Sequence, residues 1–239
     1  ELDASIATLR AMCAEVHYSR MRLLETREVA PGRFVADVLV QRLAECARHE
    51  ARLALLGGSQ AGKSTLAGVL ADGALDDGRG SARTTVMRHV HEIESGATSS
   101  IAHQPLGFSA DGALLNRTEQ LGLTLAEMCE TAERLVTLLD LCGEPRYLKT
   151  TLYGLAAHAP DGALLCVGAD GPLPPTARLH LALAAALRLP IAVLLTRVDL
   201  TDVGADGHVS AQIVAELLAL GFPTPRLVDT WHEVREALG

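Results

Sequence analysis

The chain has 239 residues, of which 49% are hydrophobic and 21% are charged, and its formal net charge is −8. This hydrophobic share excludes an intrinsically disordered chain, and the acidic balance argues against a broad basic surface for DNA. No apolar run reaches the ~20 residues that a membrane helix needs, so we expect no membrane span. The chain begins at Glu1 without a signal-peptide pattern, which suggests a segment of a longer protein.

Residues 1–50 predict a small α-β-β extension. Apolar side chains at helical spacing predict a helix over Leu2–Val16. Two β-rich stretches follow, Tyr18–Glu25 and Phe34–Val40, and the turn Ala30-Pro31-Gly32 separates them. A unit of this size is too small to bury a hydrophobic core by itself.

From residue 51 to residue 239, short apolar runs alternate with helical patterns. This alternation predicts parallel βαβ units, that is, an α/β domain whose mostly parallel sheet carries helices on both faces. The predicted strands are Leu53–Leu56, Leu135–Leu141, Ala163–Gly168 and Ile191–Thr196. The predicted helices are one that begins at Lys63 and those over Leu125–Arg134, Tyr147–Ala157, Thr176–Leu187 and Ser210–Leu220.

A long excursion, Gly73–Leu123, separates the first of these helices from the next strand and contains a predicted hairpin around Ala110-Asp111-Gly112. Loops of this length are usually functional. His89 and His91 are predicted to lie in a loop there, and their spacing leaves a metal site open as an alternative. The five cysteines show no metal-binding spacing, which favours reduced thiols in a cytoplasmic protein.

The segment Gly57–Ser64 fits the phosphate-binding pattern G-x-x-x-x-G-K-[ST], between a predicted buried strand and a predicted helix. Glycines in such a loop allow successive backbone N–H groups to surround phosphates, while Lys63 reaches the β- and γ-phosphates and the Ser64 hydroxyl binds Mg²⁺. The predicted nucleotide-binding residues of this loop are Gly57, Gly58, Ser59, Gln60, Ala61, Gly62, Lys63, Ser64 and Thr65.

Two later motifs bear on which nucleotide is bound. Asp140-Leu141-Cys142-Gly143 fits D-x-x-G, in which the aspartate holds the Mg²⁺ shell and the Gly143 N–H meets the γ-phosphate. Thr196-Arg197-Val198-Asp199 is similar to [NT]-K-x-D, whose carboxylate accepts two hydrogen bonds from guanine. Adenine lacks those donors, so the motifs together favour GTP and GDP over ATP. An ATP-using P-loop enzyme remains an alternative.

Three further runs complete a family resemblance: Gly78-Arg79-Gly80, the stretch from Arg88 to Ser100 that contains HEIESGATSS, and Tyr147-Leu148-Lys149-Thr150-Thr151. From about Leu53 to Asp199 the sequence resembles the GTP-binding protein 1 and 2 family of translational GTPases, relatives of elongation factor Tu. The resemblance implies a Ras-like G domain over residues 51–239, with GTP or GDP and Mg²⁺ as cofactors. It also implies a ribosome- or RNA-linked cytoplasmic role and β-barrel domains after the G domain, which we do not expect within these 239 residues.

The resemblance implies roles for individual residues. Thr98 corresponds to the first-switch threonine, which closes over Mg²⁺ and the γ-phosphate, so the implied metal ligands are Ser64, Thr98 and Asp140. The stretch from Asp140 to Lys149 corresponds to the second switch. The last guanine-contacting loop falls near Val228-Asp229-Thr230. The implied catalytic set is Lys63, Thr98, Gly143 and Glu144.

Three departures from the family pattern bear on hydrolysis. Glu144 follows D-x-x-G where the superfamily has the histidine that orients water, Arg197 stands in place of lysine, and Gln60 stands in place of aspartate. The oxygens of the γ-phosphate would repel the Glu144 carboxylate, and Arg146, two positions on, is expected to pair with that carboxylate. These departures predict a slow hydrolase, and a non-hydrolysing GTP-binding interaction module is the alternative.

Overall fold

The computed structural model describes residues 2–15, 19–42, 49–115, 124–200 and 206–233, the last range without residues 224, 229 and 231. The chain divides into two compact units, residues 1–47 and residues 48–239. Some predicted features lie outside the described residues: Tyr18, Cys46, Asp229 and the end of the long excursion, residues 116–123.

The first unit contains helix α1 (Leu2–Glu15) and strands β1 (Ser19–Ala30) and β2 (Arg33–Arg42). The two strands form an antiparallel hairpin whose turn contains Gly32 at a φ of +70°, a conformation that suits glycine. Strand β1 continues to Ala30, beyond the predicted end at Glu25, because cross-strand pairing extends it where the apolar alternation stops.

The second unit contains a six-stranded sheet in the order β5-β4-β6-β3-β7-β8. Its four-strand parallel part, β6-β3-β7-β8, agrees with the predicted βαβ alternation. Strand β4 runs antiparallel to both β5 and β6. The strands are β3 (His49–Leu56), β4 (Ala102–Phe108), β5 (Leu114–Leu115), β6 (Arg134–Asp140), β7 (Gly162–Gly168) and β8 (Ile191–Thr196).

The helices of this unit lie between successive strands, except for the last one, which follows β8. They are α2 (Lys63–Asp72), α3 (Ser81–Thr84), α4 (Val90–Ser95), α5 (Leu125–Thr131), α6 (Leu148–His158), α7 (Pro175–Ala186) and α8 (Asp206–Ala219). Two short 3₁₀ turns cover Pro145–Tyr147 and Val198–Leu200. No helix in the described ranges is long and apolar enough to span a membrane.

The long excursion is more regular than predicted. It contains α3, α4 and the hairpin β4–β5, which confirms the predicted hairpin and adds a strand to the sheet. The prediction of a loop around the two histidines was wrong, because His89 precedes the first turn of α4 and His91 lies within that helix. The predicted helix through Arg134 was also wrong at its end, because Ala132 is already extended and Arg134 begins β6.

Both faces of the sheet are buried, which explains why its central strands are continuous apolar runs. On one face, Ala54 and Leu56 of β3 pack in a cluster that includes Leu181 of α7 and Ile213 of α8. On the other face, Leu55 packs with Ala67 of α2 and Leu106 of β4. The apolar layers hold the carboxyl ends of the parallel strands in register along one edge, where the predicted motifs lie.

Candidate functional site

The phosphate-binding loop connects the end of β3 at Leu56 to the start of α2 at Lys63. Its backbone requires glycine at two positions. Gly57 has a φ of +132°, and a Cβ there would overlap the Cys166 carbonyl oxygen of β7. Gly62 has a φ of +83° immediately before the helix. The loop therefore presents backbone amides at a helix N-terminus, the arrangement that binds phosphate.

Lys63 is the buried cation of this loop. Its side chain is 5% exposed, and its Nζ donates hydrogen bonds to the carbonyl oxygens of Gly57 at 3.2 Å and Gly58 at 2.7 Å. The ammonium group therefore lies across the loop that would surround the phosphates.

Three predicted metal ligands converge beside the loop. The Ser64 hydroxyl donates to Asp140 Oδ2 at 2.6 Å and lies 2.8 Å from Thr98 Oγ1, which is itself 3.5 Å from Asp140 Oδ2. The other carboxylate oxygen, Asp140 Oδ1, is buried and has no hydrogen-bond partner among the described residues. Two hydroxyls and a carboxylate with an unpaired oxygen are the hard oxygen ligands that Mg²⁺ prefers, so these residues fit the ion.

The electrostatics of the site favour a ligand that brings charges of both signs. Burial raises the pKa of Asp140, although the Ser64 hydroxyl and the Lys63 ammonium partly oppose that effect. Burial lowers the pKa of Lys63, with Asp140 opposing it. A cation at the carboxylate and phosphates at the ammonium would add opposite charge beside each of these two buried groups.

The D-x-x-G loop packs tightly against the phosphate-binding loop. A Cβ at Gly143 would overlap both the Gly58 carbonyl oxygen and Lys63 Nζ, so only glycine fits there. Buried Thr151 of α6 donates to the Cys142 carbonyl at 2.9 Å, which holds the loop from the other side. The Gly143 amide is thereby fixed next to the place where the γ-phosphate is expected.

Glu144 has a partner of its own. Its carboxylate forms an ion pair with Arg146 Nε, and its backbone N–H lies 3.4 Å from the Cys142 sulfur. The Arg146 guanidinium carbon lies 4.8 Å from the centroid of the Tyr147 ring. This ion pair agrees with the expectation that Arg146 pairs with the carboxylate, and it ties Glu144 to the 3₁₀ turn that follows.

The predicted guanine-specificity motif begins where β8 ends. Thr196 Oγ1 lies 3.1 Å from the Ala61 carbonyl and 3.2 Å from the Val167 carbonyl, so it links β8 to the phosphate-binding loop and to β7. Arg197 has a φ of +56° and forms an ion pair with Asp170 at 3.0 Å. Asp199 lies exposed on the 3₁₀ turn after it.

The remaining predicted residues of the phosphate-binding loop differ in how far they are exposed. Ser59 and Gln60 are exposed, and Gln60 has a φ of +60°. Ala61 is buried, and Thr65 lies half-buried in the first turn of α2. The structure thus groups the predicted residues at one edge of the sheet, with Lys63, Ser64, Thr98 and Asp140 joined to one another or to the loop by hydrogen bonds.

Comparison with known proteins identifies the domain. The family model for the elongation factor Tu GTP binding domain matches residues 49–226. The chain belongs to this family. It is 41% identical over 205 residues to GTP-binding protein 2 of Mus musculus, a match that covers 84% of this chain and 34% of that protein. It is 40% identical over 203 residues to GTP-binding protein 1 of Xenopus laevis, covering 84% of this chain and 31% of that protein.

These matches confirm the predicted resemblance, and the chain spans only about a third of the length of these curated relatives. Among solved structures, a bacterial selenocysteine-specific elongation factor, EF-Sec, superposes with a TM-score of 0.54 at 17% identity. That superposition covers 75% of this chain and 25% of the elongation factor. At this identity the likeness shows the fold alone, and it confirms the P-loop G-domain fold.

Two buried residues of the G domain were not predicted from sequence as part of the site. The first is His180 of α7, which is 1% exposed and whose Nδ1 accepts a hydrogen bond from the Gly57 N–H at 3.0 Å. Burial and the nearby Lys63 ammonium lower the pKa of His180 to about 4, so the ring is neutral at physiological pH. A single histidine in an apolar helix was the only signal in the sequence.

The second is Glu92 of α4, which is 0% exposed. Burial alone would raise its pKa, but hydrogen bonds from the backbone and hydroxyl groups of Ser99 and Ser100 outweigh burial and lower the pKa to about 2. The signal was the HEIESGATSS run itself, which supported the family resemblance without indicating what the glutamate does.

The alternative of a metal site at His89 and His91 gains no support. Their rings stack with centroids 5.3 Å apart, and His91 Nε2 lies 2.8 Å from Ser99 Oγ. Within the part of the chain that the structure describes, no three His, Cys, Asp or Glu side chains are grouped so that they could hold a metal ion.

Proposed function

We propose that this domain is a guanine-nucleotide switch that binds GTP and GDP with Mg²⁺ and hydrolyses GTP slowly to GDP and phosphate. The observation that carries the proposal is the convergence of Lys63, Ser64, Thr98 and Asp140 at the carboxyl edge of the sheet. Membership of the elongation factor Tu GTP binding domain family supports guanine as the base.

Each group has a distinct task in binding. The loop amides and Lys63 bind the phosphates, and Ser64, Thr98 and Asp140 hold Mg²⁺, which neutralises charge that develops on the phosphates. Thr98 is the member that responds to the γ-phosphate, because it reaches the site from the segment before β4 rather than from the loop. Asp199 accepts hydrogen bonds from the guanine ring, and Thr196 holds that motif against the loop.

Hydrolysis requires a water positioned for in-line attack on the γ-phosphate. Glu144 occupies the position next to Gly143, and its carboxylate is held by Arg146. A carboxylate ~4 Å from a phosphate oxygen meets a repulsion of about 4 kcal/mol per pair of unit charges at an effective dielectric of ~20, before screening. The residue is therefore a poor substitute for a neutral histidine, and the intrinsic rate is slow.

The same ion pair favours one alternative, a domain that binds GTP without hydrolysing it and acts through contacts with other molecules. An ATP-using enzyme is the less favoured interpretation, because the Thr196–Asp199 motif and the family membership both indicate guanine. We propose further that the partners are ribosomal or RNA-linked and that the protein works in the cytoplasm. These proposals rest on the translational relatives, of which EF-Sec is one.

The test is a calorimetric titration of the chain with GDP, GTP and ATP in the presence of Mg²⁺, followed by a single-turnover assay with GTP. We expect guanine nucleotides to bind and ATP to bind at least about a hundredfold more weakly. Asp199→Asn removes the charged acceptor for guanine, whose hydrogen bonds are worth roughly 1.5–3 kcal/mol, so its GDP affinity falls by about ten- to a hundredfold.

Asp37→Asn is the matched control, because Asp37 is exposed on β2 in the other compact unit and its replacement makes the same chemical change. Equal affinity of the unmutated chain for ATP and GTP would refute guanine specificity. Binding of GTP with no phosphate released over many hours would favour the non-hydrolysing module.

A further inference from the structure

Glu92 links helix α4 to the segment that carries Thr98. Its Oε1 accepts four hydrogen bonds, from the backbone N–H groups of Ser99 at 2.7 Å and Ser100 at 2.9 Å and from their hydroxyls at 2.8 and 3.0 Å. Its Oε2 lies 3.2 Å from the Arg88 amide and 3.3 Å from the His89 amide. One fully buried side chain thus satisfies donors on both sides of α4.

The same residue also ends the helix. The Glu92 carbonyl accepts the Gly96 N–H at 2.7 Å, where Gly96 has a φ of +67° and turns the chain toward Thr98. Both the backbone and the side chain of Glu92 therefore determine the course of residues 96–100. Two residues after this segment, Ala102 pairs with Asp140 across β4 and β6. The segment is therefore held by Glu92 and, just after it, by the sheet.

The anchored segment delivers Thr98 to the proposed Mg²⁺ ligands. Thr98 immediately precedes the two serines that Glu92 holds, and its Oγ1 lies 2.8 Å from Ser64 Oγ. The side chain of Thr98 is 8% exposed. Thr98 Oγ1 lies 2.8 Å from Ser64 Oγ and 3.5 Å from Asp140 Oδ2, so the position of the adjoining Ser99 and Ser100 amides bears directly on whether Thr98 keeps these contacts.

We propose that Glu92 is a positioning residue that latches the first switch, holding Thr98 where it can meet Mg²⁺ and the γ-phosphate. This inference rests on the proposed function of the same site. A buried carboxylate with six donors is suited to this task, because the donors converge only in one arrangement of the segment and the carboxylate is costly to bury in any other. The latch favours the GTP-bound state over the GDP-bound state.

The experiment compares Glu92→Gln in the full chain with Glu94→Gln, a matched control on the exposed side of the same helix. The side-chain amide that Glu92→Gln introduces keeps one oxygen acceptor but turns an amino group toward one set of backbone donors. Affinities for GDP and for a non-hydrolysable GTP analogue are measured over a series of Mg²⁺ concentrations. Hydrogen exchange of the Ser99 and Ser100 amides is measured in parallel without nucleotide.

For Glu92→Gln we expect the affinity for the GTP analogue to fall at least about tenfold, with more Mg²⁺ needed for binding, while GDP affinity changes by less than about threefold. The Ser99 and Ser100 amides should exchange faster by at least about tenfold. Glu94→Gln should leave all of these unchanged. Equal weakening of GDP and the analogue would overturn the latch in favour of a general structural role.

Ser100→Ala keeps the inference testable if Glu92→Gln folds poorly. This variant removes one of the four donors to Oε1 and leaves the carboxylate satisfied by the others. The same selective loss of analogue affinity is expected at a smaller size, about two- to fivefold, and no selective loss would refute the latch. If the unmutated chain binds no guanine nucleotide, the proposed function fails, and unchanged exchange at Ser99 and Ser100 in Glu92→Gln would refute the latch itself.

Discussion

At the scale of single residues, His180 connects the helix layer to the phosphate-binding loop through one buried hydrogen bond. Its Nδ1 accepts the Gly57 N–H only while the ring nitrogen is unprotonated. Burial places the pKa of His180 near 4, against 6.5 for a free histidine, so the unfolded chain binds this proton more readily than the folded chain does. The contribution of His180 to stability is complete above pH ~6.5 and is lost as the pH falls toward ~4.

We therefore expect the free energy of unfolding of the natural chain to fall by roughly 2 kcal/mol more than that of His180→Asn between pH 7.5 and pH 5. Urea denaturation at several pH values measures this difference. His49→Asn is the control, because His49 is exposed, and its pH dependence should match that of the natural chain. Parallel pH profiles for the natural chain and His180→Asn would contradict the assignment.

At the scale of elements, the parallel core followed from the sequence, whereas of the excursion only the turn between β4 and β5 did. Strands such as Ala163–Gly168 are buried on both faces, and an apolar run bounded by turn residues indicates such a strand directly. Strand β4 has the sequence Ala-His-Gln-Pro-Leu-Gly-Phe and contains both proline and glycine, so its composition argues against a strand. Its place in the sheet depends on pairing with β5 and β6, for which its own sequence gives no local signal.

The residues of the candidate site likewise divide into those that the sequence predicts and those that only the folded structure shows. The phosphate-binding loop could be predicted because its chemistry requires contiguous residues, Gly57 to Ser64. Thr98 could be assigned only through the family resemblance, since a threonine in a polar segment carries no local signal. His180 and Glu92 were missed because each acts on a segment that only the folded chain brings near, although Glu92 is just seven residues from Ser99.

A prediction at the element scale concerns the second switch, the stretch from Asp140 to Lys149. The turn Pro145–Tyr147 holds Arg146 against Glu144, so the carboxylate is fixed in a turn rather than free to coordinate water. Glu144→His replaces an anionic acceptor with a neutral one at the position next to Gly143. We expect the single-turnover rate of GTP hydrolysis at saturating protein to rise at least about tenfold, because a positioned acceptor contributes ~10²–10⁴-fold in favourable cases.

Glu133→His, at an exposed position between α5 and β6, is the matched control and should leave the rate unchanged. The nucleotide affinity of Glu144→His should stay within about threefold of the natural chain, which separates an effect on chemistry from one on binding. A lower rate in Glu144→His would show that the glutamate itself positions the water.

At the scale of the whole molecule, the topology explains why motifs far apart in sequence form one site. Strands β6, β3, β7 and β8 are parallel neighbours, so their carboxyl ends lie along the same edge of the sheet. Asp140, the phosphate-binding loop, Asp170 and Thr196 follow or end those strands in turn. The antiparallel direction of β4 brings its first residue, Ala102, beside Asp140, which carries the preceding Thr98 to the same edge.

All of these residues belong to the unit of residues 48–239, which leads to a prediction for the two units. A chain shortened to residues 48–239 should bind GDP with an affinity within about threefold of the full chain, because it contains both apolar clusters and every proposed ligand.

The fragment of residues 1–47 should show no cooperative thermal transition. A two-stranded ribbon that leaves Leu24, Val29 and Phe34 exposed is marginally stable at best in water. Calorimetric titration and thermal circular dichroism of the two fragments test these expectations, and a loss of GDP affinity above about tenfold in the longer fragment would show that residues 1–47 contribute to the nucleotide site.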